Sequence, residues 1–154
     1  MITLKHLKKA HKFINGIIRF KNEDKDRWYT IKACIRRNGG DCDDFRPGYW
    51  EILKLLGIPE IDMLFLDVTV NCWKMKGKHA VLRVTLNGKV YIFCNVFGVM
   101  PEKKYAKKTR MRIDRYFSPI DGWFTYNEDG SKFIITPANE HWLFRQYQKD
   151  MGRL

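Results

Sequence analysis

The sequence lacks an unbroken apolar run long enough to cross a bilayer, which excludes a protein with a transmembrane helix. Its first twelve residues carry four lysines between short apolar pieces. No apolar stretch follows these charges, so the start of the chain does not resemble a secretory signal peptide. The expected compartment is therefore the cytoplasm.

Closely paired cysteines and internal repeats are also missing. None of the four cysteines belongs to a C-x-x-C motif, which excludes a zinc ribbon and a thioredoxin-type redox motif. In the cytoplasm these thiols are expected to stay reduced. No repeat, low-complexity tract or linker divides the chain of 154 residues, and 45% of them are hydrophobic. These features predict one domain over residues 1–154 with its own core.

Acidic residues are scarce in two segments of a strongly basic chain. The formal net charge is +12, from 29 basic and 17 acidic residues. Residues 1–22 contain no acidic residue, and residues 103–115 contain seven basic residues and one acidic residue. Such surfaces attract nucleic acid, anionic lipid or an acidic protein. A solvated face that serves only solubility is the equally simple alternative.

The apolar spacing predicts two helices in the first third of the chain and one at its C-terminus. Residues 4–18 and 43–56 repeat apolar side chains at helical intervals. A strand, "KFIITP", precedes a C-terminal helix that Thr136 and Pro137 are expected to open, because proline is tolerated in the first helical turn.

The middle of the chain predicts an antiparallel sheet. Residues 63–70 form an apolar strand pattern, and residues 79–86 and 89–97 form two more. Asn87 and Gly88 join the last two in the strongest two-residue hairpin signal. The predicted fold class is α+β, an antiparallel sheet with helices packed on it.

A long basic connection is predicted from the hairpin to about residue 130, and aromatic residues alternate with its charges. This arrangement is typical of surfaces that bind single-stranded nucleic acid. Packing of the connection against the core is the simpler interpretation. The aromatic residues concerned are Tyr105, Tyr116, Phe117, Trp123 and Phe124.

Cys42 is the cysteine whose surroundings suggest chemistry. It follows a pair of glycines and falls at the start of the predicted helix 43–56. Helix N-terminal amides favour a thiolate and could later hold an oxyanion. Three flanking carboxylates oppose this effect, because negative charge raises the pKa of a thiol. A buried structural cysteine, a metal ligand and a nucleophile all remain open for Cys42. The carboxylates belong to Asp41, Asp43 and Asp44.

A thiol nucleophile requires a base, and His79 is the best-placed histidine. It opens the predicted strand 79–86, whereas His6, His11 and His141 lie on predicted helices and are expected at the surface. A cysteine at a helix start and a histidine at a strand start are how papain-like folds build a Cys–His pair.

The segment "GGDCDDF…WEILKLLGIPEIDMLFLDVTV…GKHAVLRV" resembles the bacterial transglutaminase-like cysteine peptidases, which have a papain-like fold. Asp26 and Trp28 are similar to that family's D-x-W motif. The resemblance implies a thiol-dependent peptidase, amidase, deamidase or transglutaminase, with Cys42 as nucleophile and His79 as general base. The small size of the chain implies a phage- or prophage-type member, with a protein or peptide as substrate.

The resemblance also implies a metal. Some members of this family bind calcium beside the cysteine through flanking acidic residues, and Asp41 and Asp43 match those positions. The alternative for this pair is a solvated acidic turn. A zinc site from Cys42, His79 and Cys94 matches no standard ligand spacing.

The third catalytic position departs from the family. Where the family has aspartate followed by asparagine, this chain has Cys94 and Asn95. If the hairpin turn pairs Leu86 with Lys89, Cys94 shares the face of His79, and Asn95 reaches the imidazole only through a bulge. Asn95 is the natural substitute by chemistry, since papain itself uses an asparagine.

Other outcomes for the third position are Asp67 or Asp121 reaching the imidazole, or a broken triad. The sequence therefore predicts a thiol-dependent enzyme with Cys42, His79 and Asn95 at its site. The alternative is a degenerate papain-like fold that binds a protein or nucleic acid through its basic segments.

Overall fold

The computed structural model describes residues 1–21, 28–37 and 39–152. Its helices and strands follow one another as α1 (Leu4–Ile17), α2 (Ile31–Arg37), α3 (Cys42–Leu55), β1 (Met63–Asn71), β2 (Lys76–Leu86), β3 (Lys89–Cys94), β4 (Gly98–Pro101), α4 (Glu102–Thr109), β5 (Arg112–Ser118), β6 (Gly122–Tyr126), β7 (Lys132–Thr136) and α5 (Trp142–Asp150).

The strands form one antiparallel sheet in the order β4-β3-β2-β1-β5-β6-β7. Leu86 pairs with Lys89 across the Asn87–Gly88 turn, as the sequence predicts, and the register continues without a shift to Leu82 and Phe93. Each face of the sheet therefore receives the side chains that residue parity assigns to it.

The two faces of the sheet carry cores of different composition. The larger core lies between the sheet and the helices α1, α3 and α5, where Trp28 is surrounded by aromatic rings. The smaller core lies on the opposite face under α4 and contains Val81, Cys94 and Tyr105. Helix α3 thus packs on one face of β2, and α4 covers the other face of the same region of the sheet.

The prediction of a long basic connection up to residue 130 is wrong, since this segment contains β4, α4, β5 and β6. In α4 and β5 the charged side chains lie on the outer surface, so they obscured the apolar spacing of these two elements. In α4 only Tyr105 and Thr109 are buried, and lysines cover the rest. Arg110, in the left-handed conformation with φ 54°, ends this helix.

The aromatic residues of this region pack inside the protein. Tyr105, Phe117, Trp123 and Phe124 are buried, and Tyr116 stacks on Phe124. The packing interpretation is therefore confirmed, and these residues offer no exposed platform for stacking bases.

Two helices differ from what the sequence predicts. Helix α2 was not predicted, because its seven residues are too few to display a helical period. The C-terminal helix begins at Trp142, and a short 3-10 turn over Ala138–Glu140 follows Pro137 instead.

In the part of the chain that the structure describes, no helix has the length and apolar character needed to span a membrane.

Candidate active site at the start of helix α3

Cys42 is the first residue of α3, one position before the predicted start. Asp41 caps the helix, with its carboxylate accepting a hydrogen bond from the Asp43 amide at 3.0 Å. Asp44 completes a capping box by accepting from the Asp41 amide at 3.0 Å. Gly39 precedes the cap with φ 150°, a conformation that favours glycine. The acidic residues therefore build the turn that presents Cys42.

Of the two opposing effects that the sequence predicts at Cys42, the structure favours the one that raises the pKa of the thiol. Burial, followed by the charges of Asp43 and Asp41, raises the pKa of Cys42 to about 11. The amides of Asp43 and Asp44 already donate to Asp41 and are not directed at the sulfur. The Ala80 amide and Arg46 lower the pKa, but by less. Cys42 is therefore a neutral thiol near pH 7.

His79 faces Cys94 across the hairpin. The Nε2 atom of His79 lies 3.3 Å from Cys94 Sγ, as the hairpin register predicts. Burial, and secondly the charge of Arg46, lower the pKa of His79 to about 4, so the imidazole is neutral near pH 7. Neither nitrogen has a carboxylate partner among the described residues, and Nδ1 stays available to a second group.

Cys42 and His79 lie beside the same point of β2, just beyond the paired part of the β2–β3 ladder. Helix α3 packs on one face of the sheet and α4 on the other, but the charge of Cys42 still acts on Tyr105 of α4, which lies on the side of His79 and Cys94. The Cys42 thiol interacts with the backbone amide of Ala80, the residue that follows His79. The nucleophile predicted from the sequence is therefore adjacent to the main chain that carries the predicted base.

The structure places Cys94, and not Asn95, against the imidazole. Asn95 Oδ1 is buried and has no hydrogen-bond partner among the described residues, so it does not accept from His79. The Asn95 carbonyl oxygen accepts instead from Asn15 of α1 at 3.0 Å. No bulge shifts the β2–β3 register between Leu82 and Phe93 to bring Asn95 inward. The role of Asn95 stays a prediction that this arrangement does not support.

Neither alternative aspartate reaches His79. Asp67 accepts hydrogen bonds from Arg46 and Arg115, each at 2.7 Å. Asp121 pairs with Lys132 at 2.7 Å, at the other end of the sheet. Asp26, which matches the family's D-x-W motif, lies outside the described residues.

Helix α1 holds the strand end that carries Cys94, a contact the sequence did not reveal. His11 Nε2 lies 2.8 Å from the Cys94 carbonyl oxygen, and its ring stacks on Tyr49. Burial lowers the pKa of His11. His141 is buried, and it caps α5 by accepting a hydrogen bond from the Phe144 amide. The expectation that His11 and His141 lie at the surface is therefore wrong, because each meets an element distant in sequence.

Tyr105 is a second residue of the site that sequence reasoning did not assign. Its hydroxyl is buried against the Cys94 thiol, without a partner of standard hydrogen-bond geometry among the described residues. Burial raises the pKa of Tyr105, and Cys94 adds to this shift. The thiol that contacts His79 therefore has a neutral phenol behind it.

Arg46 anchors α3 to the sheet beneath the site. Its side chain is 1% exposed and donates to the Leu66 carbonyl and the Asp67 carboxylate, both at 2.7 Å. It also lies 3.5 Å from Asp43. The network lowers the pKa of Asp67, although burial alone would raise it. The position of the turn bearing Cys42 depends on this buried ion pair.

The acidic turn, as arranged, does not form a metal cage. The Asp41 carboxylate accepts from a backbone amide and Asp43 faces Arg46. Among the described residues, no three His, Cys, Asp or Glu side chains come close enough together to hold a metal ion. Calcium binding by Asp41 and Asp43 therefore stays a prediction, and no chemical step is derived through it.

The sheet, the cysteine-bearing helix packed on it and the histidine on β2 define a papain-like, transglutaminase-like α+β fold. The solved structure of Legionella pneumophila LapG after EGTA treatment, a bacterial transglutaminase-like cysteine protease, matches with a TM-score of 0.75. That match has 16% identity and covers 97% of this chain and 80% of the LapG chain. Calcium-bound LapG from the same organism matches with a TM-score of 0.68 and 16% identity, over 98% of this chain and 80% of the other.

At these identities the likeness shows the fold, which confirms the predicted fold class. Comparison with family models gives no match to this sequence, and no curated protein matches it.

Proposed function

We propose that this protein is a thiol-dependent acyl-transfer enzyme, a peptidase or amidase with Cys42 as nucleophile and His79 as general base. The observation that carries the proposal is the position of Cys42 against the Ala80 amide, beside a His79 whose Nε2 atom is occupied by Cys94. The transglutaminase-like fold supports a protein or peptide substrate.

The raised pKa of Cys42 and the lowered pKa of His79 determine how such a reaction would begin. Because the pKa of Cys42 is about 11 and that of His79 is about 4, the resting pair is a neutral thiol and a neutral imidazole rather than a thiolate and an imidazolium. His79 Nδ1 would take the thiol proton as Cys42 Sγ attacks the substrate carbonyl. His79 would then protonate the leaving amine, and water would hydrolyse the thioester with His79 again acting as base.

Cys94 limits this reaction. A neutral imidazole must carry its proton on Nε2 so that Nδ1 can accept from Cys42. A carboxylate would enforce this tautomer, but a thiol is both a weak donor and a weak acceptor, so it selects neither tautomer. The wild-type enzyme is therefore expected to turn over slowly.

Turnover that depends on Cys42 is the first expected result. A mixture of peptides incubated with the protein should yield new amino termini for a peptidase, or ammonia for an amidase or deamidase. The Cys42→Ala variant should yield neither, and Cys72→Ala, which removes another partly exposed thiol, should match the wild type. Equal product from wild type and Cys42→Ala, after removal of contaminating proteases, would refute an enzymatic role.

A binding module is the second candidate, and the same pKa shifts favour it. A thiol with a pKa of about 11 beside a histidine without a carboxylate is the expected remnant of a lost triad. The test above separates the two candidates, because a binding module predicts no product with any substrate.

Calcium binding at the acidic turn is a further part of the proposal. The support is the pair Asp41 and Asp43 beside Cys42, together with the calcium-bound LapG structure of the same fold. Calorimetric titration should give heat with the wild type and none with Asp43→Ala. Asp129→Ala, which removes an exposed aspartate of another turn, is the matched control. A wild type that shows no heat, and no rise in melting temperature with calcium, would contradict this part.

A further inference from the structure

A basic surface borders the candidate active site. It consists of nine exposed basic side chains and is defined here as Lys74, Lys76, Lys78, Lys103, Lys104, Lys107, Lys108, Arg110 and Arg112. The first three belong to the β1–β2 hairpin and its second strand, the next four to the outer face of α4, and the two arginines to the turn and strand that follow.

Phe97 joins the two halves of this surface. Lys74 Nζ lies 5.6 Å from the centre of the Phe97 ring, and Lys108 Nζ lies 4.7 Å from it. The ring itself packs against Tyr105, with centroids 6.4 Å apart. Tyr105 contacts Cys94, which in turn contacts His79. The hairpin and α4 therefore meet directly above the residues that contact the proposed base.

The charge of the surface is largely uncompensated. The same segments contain two acidic residues, Glu102 and Asp114. Glu102 pairs with Arg83 at 3.3 Å, and Asp114 pairs with both Lys78 and Arg112. The remaining basic side chains have no acidic partner among the residues that the structure describes. An acidic ligand would therefore meet cations that need not first break an ion pair.

The hairpin tip adds an apolar anchor to the charge. Trp73 is 84% exposed, with Lys74 Nζ 5.1 Å from the centre of its ring. The strand that leaves this tip reaches His79 within six residues. A tryptophan beside lysines is a common anchor for a peptide, because it buries a large area with little loss of conformational freedom.

We propose that the basic surface and Trp73 bind an acidic, extended segment of a polypeptide substrate and direct it to Cys42 and His79. The proposal rests on the proposed function, since it names the substrate class of that site. A polypeptide fits better than a nucleic acid, because a strand of bases stacks on several exposed rings. Here Tyr105, Phe117, Trp123 and Phe124 are buried, and Trp73 is the exposed ring of the hairpin tip. A polypeptide also supplies the amide that a thiol nucleophile attacks.

Binding can be measured apart from chemistry with full-length Cys42→Ala protein, which cannot form an acyl-enzyme. The probes are a fluorescein-labelled peptide rich in glutamate and the same peptide with glutamine in place of each glutamate. Fluorescence anisotropy should show the acidic peptide binding roughly tenfold or more tightly at low salt, with a smaller difference at moderate salt because the charges are screened.

Charge reversal on α4 tests the surface itself. The double variant Lys107→Glu with Lys108→Glu should weaken binding of the acidic peptide by roughly tenfold. Each exposed ion pair contributes a fraction of a kcal/mol, and reversing a charge replaces an attraction by a repulsion, so the loss is about twice that of removing the charge. Lys5→Glu with Lys9→Glu, an equal reversal on exposed residues of α1, is the matched control and should change it little. Trp73→Ala should weaken the binding of both peptides by the same factor, because it removes apolar area and no charge.

Three results would overturn the proposal: equal affinity for the two peptides, an equal loss from the α1 reversal, or displacement of the acidic peptide by a single-stranded oligonucleotide of the same charge that binds more tightly. Failure of the proposed function has a different signature. Selective acidic-peptide binding without turnover in the wild type would remove the enzyme and retain the binding surface, whereas turnover without acidic preference would remove only the surface.

Discussion

Replacing Cys94 by aspartate is expected to accelerate alkylation of Cys42 at pH 7 by roughly a hundredfold or more, since loss of an orienting carboxylate costs up to about 10⁴ in rate elsewhere. A carboxylate 3.3 Å from His79 Nε2, where the thiol now lies, would accept the imidazole proton and fix the productive tautomer. It would also raise the pKa of His79 from about 4 and stabilise the imidazolium that pairs with a Cys42 thiolate.

The rate is measured with limiting iodoacetamide and mass spectrometry of the Cys42 peptide. Cys94→Ser, which is neutral and of similar size, is the matched control and should leave the rate near that of the wild type. Asn95→Ala should also have little effect, because Asn95 does not contact the imidazole. Circular dichroism must first show native folding, since Cys94 is fully buried and an uncompensated carboxylate there is costly. A folded Cys94→Asp variant with an unchanged rate would contradict the account.

Arg46→Met is expected to lower the free energy of unfolding by about 3 kcal/mol or more, because removing one partner of a buried ion pair leaves the other uncompensated. Arg46 is 1% exposed, so no water replaces its bonds to Leu66 and Asp67. Asp67 retains Arg115, which keeps the expected loss at the lower end of this range. Urea unfolding followed by circular dichroism measures the change.

The double variant Arg46→Met with Asp67→Asn should recover part of this loss, since the buried negative charge is then removed as well. Arg115→Met is the matched control. It breaks an ion pair to the same carboxylate, but its side chain is 42% exposed, so a loss of about 1 kcal/mol or less is expected. If Arg46→Met costs no more than Arg115→Met, the buried network does not hold α3 in place.

Local signals in the sequence predicted the part of the site that lies on the hairpin. The Asn87–Gly88 turn determined the register, and parity along two strands then placed Cys94 on the face of His79 without any knowledge of the tertiary fold. The helix start at Cys42 was equally predictable, because Asp41 and Asp44 form a capping box of standard spacing.

Contacts between distant elements were not predictable in this way. His11 meets the Cys94 carbonyl oxygen across 83 residues, and its lysine-rich surroundings in the sequence indicated a surface position. Helix α4 and strand β5 were not recognised because their outer faces carry the charges that dominate the composition of this segment. The carboxylates that raise the pKa of Cys42 could be recognised in the sequence, whereas burial, the largest cause of its shift, arises from packing that no local motif reveals.

The pH dependence of Cys42 alkylation tests the pairing of Cys42 with His79 most directly. In the wild type the rate should rise about tenfold per pH unit from pH 6 towards the thiol pKa of about 11, with no plateau near neutrality. Cys94→Asp should add a plateau near neutral pH from a thiolate–imidazolium pair, and the added substitution His79→Gln should abolish it. A Cys94→Asp plateau that survives His79→Gln would contradict the assignment of Cys42 and His79 as the reacting pair, and a wild-type plateau near neutrality would contradict the neutral resting pair.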